Sequence, residues 1–133
     1  MAAEDVSLPA MGPSAEFLSY RGTTTPLSMT VRQSEHAVVV IQVAGELDMS
    51  TGPALNEQLR NLLSVRPDRL VIDLSEVTFL GSSGLAVLVG ARDTAAAQGT
   101  RLQLSGISHR GVARPLQITG LDRLFETSPP ANG

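Results

Sequence analysis

The 133 residues are 42% hydrophobic and 17% charged, a balance that suits one compact domain with its own core. Ten Lys and Arg against thirteen Asp and Glu give a formal net charge of −3, and the bases are scattered, which argues against nucleic acid as a direct partner. With no apolar run of membrane-spanning length, no secretory pattern in Met1 to Pro9 and zero Cys, the expectation is a cytoplasmic protein with no membrane partner, no disulfide and no thiolate metal site.

Residues 1 to 26 hold Pro9, Gly12, Pro13, Gly22, Pro26 and a run of three Thr without a sustained period, and are expected to be a flexible tail. Phe17, Leu18 and Tyr20 form a short apolar cluster that could dock as a small element. Leu27, Met29 and Val31 then alternate with Ser28, Thr30 and Arg32, as in a half-buried strand. Ala37 to Val43 is β-branched and nearly continuous, which predicts a strand covered on both faces. Asp48 to Thr51 supplies capping side chains and Pro53 suits a first helical turn. Leu55, Leu59, Leu62 and Leu63 follow at helical spacing, and Arg66-Pro67-Asp68 breaks the helix.

Leu70 to Leu74 reads as a second buried strand. After a short apolar linker, Ser82 or Ser83 opens a helix that runs to about Ala97, with Leu85, Leu88 and Val89 on one face and Gly99 closing it. Arg101 to Leu104 is a further strand, and His109 to Ile118 a short helix stopped by Gly120 despite Pro115 inside it. Leu121 to Thr127 holds a last turn or strand, and residues 128–133 are expected to be a flexible C-terminal tail. Alternating strands and helices favour parallel pairing with right-handed crossovers. The expected fold class is α/β, a four- or five-stranded mixed sheet flanked by helices, with the domain at residues 27–127.

Enzymatic readings fail on counting. The two His, His36 and His109, are not paired at helical spacing, and no zinc-hydrolase arrangement exists. Gly81-Ser82-Ser83-Gly84 is not a nucleophile elbow, because neither serine has glycines two before and two after it. No phosphate-loop or dinucleotide-loop spacing occurs, and no cofactor is expected. Glu46, Asp48, Asp73 and Glu76 could in principle do acid–base work, but acids at strand ends and helix starts commonly serve as caps. What remains is a pair of serines at a helix N-terminus, where orphan N–H groups and the helix dipole favour an anion. The bland alternative is that Ser82 and Ser83 cap that helix.

Three stretches carry a resemblance. They are Val43-Ala44-Gly45-Glu46-Leu47-Asp48, then Val71-Ile72-Asp73-Leu74-Ser75 through Phe79-Leu80-Gly81-Ser82-Ser83-Gly84-Leu85, and finally Thr119-Gly120-Leu121-Asp122-Arg123-Leu124-Phe125. In order and spacing the sequence resembles the STAS domains of bacterial anti-sigma factor antagonists. The resemblance implies a partner-switching cycle. The unphosphorylated protein binds an anti-sigma factor that is also a serine kinase, and a sigma factor is freed. Phosphorylation of the second serine, which maps onto Ser83, ends binding, and a cognate phosphatase resets the protein. The resemblance further implies that Asp48, Gly81, Ser82, Ser83 and Gly84 form the partner-binding surface. One departure stands out: the family pattern has Asp before the two serines, where this chain has Gly81. The expectation is that Gly81 tunes phosphorylation rather than abolishing it. Related STAS domains serve in transporters and stress-sensing or lipid-transport assemblies, so a phosphorylation-independent interaction module is the alternative reading.

Overall fold

The computed structural model describes residues 27–34 and 37–128. The expected tails, apart from Ser128, and His36 lie outside these residues.

Among the described residues, five strands and three helices follow one another as β1 (Ser28–Gln33), β2 (Val38–Leu47), α1 (Gly52–Ser64), β3 (Arg69–Leu80), α2 (Ser82–Gln98), β4 (Arg101–Ser105), α3 (Arg110–Thr119) and β5 (Glu126–Thr127), with a 3₁₀ turn at Leu121–Arg123. The sheet order is β1-β2-β3-β4-β5. β1 pairs antiparallel with β2, and every later pair is parallel. This is the mixed, helix-flanked α/β sheet anticipated from the pattern of elements.

Each parallel step moves one place in the same direction, so right-handed crossovers put all three helices on one face of the sheet. Leu55, Leu59 and Leu63 of α1, Leu85, Leu88, Ala91 and Ala95 of α2, and Val112 and Leu116 of α3 join the strand residues Val39, Ile41, Leu70, Ile72, Leu102 and Leu104 in one core. The expectation that β2 is covered on both faces is therefore corrected. Val39, Ile41 and Val43 are buried, while Val38, Val40 and Gln42 on the other face are only half-buried. Val31 is likewise exposed, because β1 is an edge strand whose outer end lies beyond the helices.

β3 runs further than its apolar run suggested. The stretch read as a linker, Ser75 to Leu80, keeps pairing with β2 through two register shifts, ending at Glu46 opposite Phe79 and Leu47 opposite Leu80. Gly45 lies between those shifts with φ of 118°, a backbone conformation that costs glycine least. This long pairing delivers the C-terminal ends of β2 and β3 side by side at the start of α1 and α2.

Candidate functional site

The turn between β3 and α2 is built by close packing. Gly81 donates its N–H to the Leu47 carbonyl at 2.9 Å, tying the turn to the end of β2. Gly84 admits no side chain: a Cβ there would stand 2.8 Å from Leu80 Cδ1 and 2.9 Å from Leu47 Cβ. Gly81 is the N-cap of α2, with φ −93° and ψ −177°, a conformation open to any residue. Its small size matters for another reason, since a Cβ would meet the Phe79 ring at 3.0 Å.

Ser82 and Ser83 therefore occupy the first two positions of α2 rather than its cap, and the capping reading is corrected. No side chain caps this helix, and neither serine hydroxyl forms a hydrogen bond among the described residues. Ser82 is exposed and Ser83 half-buried. The first N–H groups of a helix have no intrahelical acceptor, so Ser82, Ser83 and Gly84 present donors at the positive end of the dipole.

The Asp48 loop lies beside this turn. Gly52 opens α1 so near to α2 that a Cβ on it would be 3.8 Å from the Ser83 Cβ and 3.7 Å from Val87 Cγ2. Asp48 does not cap α1 as anticipated; Thr51 is the N-cap, and it makes no side-chain cap bond. Instead the Asp48 Oδ1 accepts the Ser50 N–H at 2.9 Å, the Ser50 hydroxyl at 2.8 Å and the Thr51 N–H at 3.1 Å, closing the turn that precedes the helix. The buried Thr51 hydroxyl donates to the Glu46 carbonyl at 2.6 Å and accepts the Asp48 N–H at 3.0 Å, which fixes the loop to β2. The Ser50 hydroxyl chiefly holds the Asp48 carboxyl below its ordinary value, aided by the Thr51 and Ser50 N–H groups and opposed by desolvation. The group is thus an anion held in the loop that leads to Gly52, the residue packed against Ser83.

Two residues of this surface escaped the sequence reading. Phe79 is 49% exposed at the end of β3, and Met49 is 82% exposed in the Asp48 loop. The available signal was an apolar residue set inside a polar turn and another at the outward position of an alternating strand end. The other acids have local duties or face solvent: the buried Asp73 accepts the Ser75 N–H at 2.9 Å, and Glu76 is exposed opposite Ala44. His109 places Nε2 3.1 Å from the Leu74 carbonyl and so anchors the start of α3. No group of three or more His, Cys, Asp or Glu that could hold a metal occurs among the described residues.

A turn of small residues at a helix N-terminus, braced by a Gly-Glu-Leu-Asp loop on a mixed five-stranded sheet, matches a known architecture. The family model described as Mlab, STAS domain matches residues 29–126. The chain belongs to the STAS domain family. It is 36% identical over 104 residues to the anti-sigma-F factor antagonist RsfB of Mycobacterium tuberculosis, covering 77% of this chain and 83% of that one. It is 35% identical over 107 residues to the anti-sigma-B factor antagonist of Bacillus subtilis, covering 80% and 95% respectively. The crystal structure of an anti-sigma factor antagonist from Mycobacterium paratuberculosis superposes with a TM-score of 0.72 at 33% identity, over 80% of this STAS chain and 88% of that one. No helix among the described residues is long and apolar enough to cross a membrane.

Proposed function

We propose that this STAS domain is an anti-sigma factor antagonist, acting in the cytoplasm by binding and not by catalysis. Its partner is an anti-sigma factor with serine kinase activity, and binding frees a sigma factor. Phosphorylation of Ser83 breaks the complex, and a cognate phosphatase restores it. Asp48, Gly81, Ser82, Ser83 and Gly84 form the surface, flanked by the apolar Phe79 and Met49. The carrying observation is the placement of Ser83: an unbonded hydroxyl at the second position of α2, beside the Asp48 loop.

The physical case rests on two effects of opposite sign. A phosphate of charge −1.5 to −2 in the first turn of a helix is favoured by roughly 0.3–1 kcal/mol, so the fold tolerates it. The same charge enclosed in a dry interface without a partner costs about 3–5 kcal/mol. At about 1.4 kcal/mol per tenfold, affinity falls on the order of a hundred- to several-thousand-fold. The interface effect dominates.

The test is a titration of the anti-sigma partner against unmodified protein, Ser83-phosphorylated protein and Ser83→Asp, with thermal unfolding of each. The switch requires lost binding at an unchanged or slightly raised melting temperature. Equal binding by the phosphorylated form points instead to a phosphorylation-independent module. A large drop in melting temperature would make the switch an unfolding event.

A further inference from the structure

The face of the sheet opposite the helices poses a problem of its own. Val71, Gln103 and Ser105 point to that face and are 4%, 5% and 1% exposed, yet Val71 stands outside the core that unites all three helices. Gln103 Oε1, Ser105 Oγ and Arg69 Nε are buried there without a hydrogen bond. Buried polar atoms left unmet cost about 1–3 kcal/mol each, so this face calls for a partner carrying donors and acceptors. The half-buried Val38 and Val40 extend Val71 into an apolar strip. Arg32, Arg69 and Arg101 lie on the same face with Asp73, Glu76 and Glu126, three charges of each sign.

We propose that the occupant is this chain's own N-terminal segment, with Phe17, Leu18 and Tyr20 laid on the Val38-Val40-Val71 strip. The chemistry matches. Residues 1–26 hold two of the chain's four Phe and Tyr, beside Leu18. Ser19 and Tyr20 supply hydroxyls that can both donate and accept, as Gln103 Oε1, Ser105 Oγ and Arg69 Nε require. The geometry permits it. Seven residue steps lead from Tyr20 to Leu27, which enters β1, a reach of up to about 23 Å at ~3.3 Å per step. β4 is three strands from β1, or about 14 Å at ~4.8 Å per strand.

The chain has no Trp, so Phe17→Trp in the full-length protein gives a single reporter. The indole is expected to emit to the blue of the denatured chain and to resist acrylamide quenching several-fold, independent of protein concentration. Val40→Lys, placed on the half-buried strip, should abolish both effects while the circular dichroism of the domain persists. Leu18→Ser with Tyr20→Ser should do the same. Quenching equal to that of the denatured chain overturns the proposal. Protection that disappears on dilution also overturns it, and assigns the face to a second copy.

Discussion

Gly81→Asp replaces the N-cap of α2 with the residue that the family pattern carries there. The backbone at φ −93° accepts an aspartate, so the gain comes from its carboxylate meeting the unbonded N–H groups of Ser83 or Gly84. Aspartate exceeds glycine as a cap by a few tenths of a kcal/mol, and its charge at the helix N-terminus adds roughly 0.3–1 kcal/mol at low salt. Against this stands the contact of the new Cβ with Phe79 Cε2 at 3.0 Å. The ring is half exposed and can move, and pushing it off its rotamer costs about 0.5–1.5 kcal/mol. In the native background the two nearly cancel. In a Phe79→Ala background the full gain of about 0.5–1.5 kcal/mol appears, a rise of roughly 2–10 °C for a domain near a hundred residues. Urea unfolding of the four proteins of the cycle measures the coupling. Equal destabilisation by Gly81→Asp in both backgrounds would refute the reasoning, because the backbone and not the Phe79 ring would then exclude a side chain. The kinase assay run in parallel reads whether the added carboxylate speeds Ser83 phosphorylation.

The Asp48 carboxyl has a folded value below its unfolded one, so its contribution is present above about pH 4 and is lost as pH falls through the lowered value. Asp48→Asn keeps an acceptor for the Ser50 and Thr51 N–H groups, and is expected to flatten the acid limb of the stability profile without altering stability at neutral pH. Gly84→Ala forces a methyl against Leu80 and Leu47 and should cost about 1–3 kcal/mol in chemical denaturation, although alanine is the better helix former. Arg66 has φ of 52° immediately before Pro67, and Arg66→Gly should stabilise the domain by roughly 0.5–1 kcal/mol, read as a shift in urea midpoint. Met49→Ser should weaken anti-sigma binding by loss of an exposed apolar anchor while leaving the melting temperature unchanged.

Periodicity exposed the elements whose burial is one-sided and regular. Leu55, Leu59 and Leu63 announce α1 because they repeat at helical spacing, whereas β2 showed as a continuous β-branched run that hid which of its faces is buried. The second half of β3 was illegible for a physical reason: its pairing with β2 rests on backbone bonds through register shifts, and Ser75, Glu76, Thr78 and Phe79 face solvent. At the site, the small residues around Ser83 were visible as a motif, but their separate duties were not. Gly84 is required by Leu80 and Leu47, which are near in sequence and distant in sequence respectively, while Gly81 answers to Phe79. The role of Asp48 was misread because a carboxylate closing a turn and one capping a helix carry the same local signature, and only the position of Thr51 separates them.

The sheet order has a consequence for the kind of ligand this fold can take. In open α/β sheets, small molecules lodge in the crevice where successive crossovers leave a strand edge in opposite directions. From β2 to β5 the chain never reverses, so that crevice does not form at the strand ends. What the strand ends offer instead is a helix N-terminus and a braced turn, displayed outward with two apolar side chains beside them. Under the proposed function, recognition falls to surface meeting surface, and a single esterified hydroxyl at Ser83 would decide whether the surfaces meet.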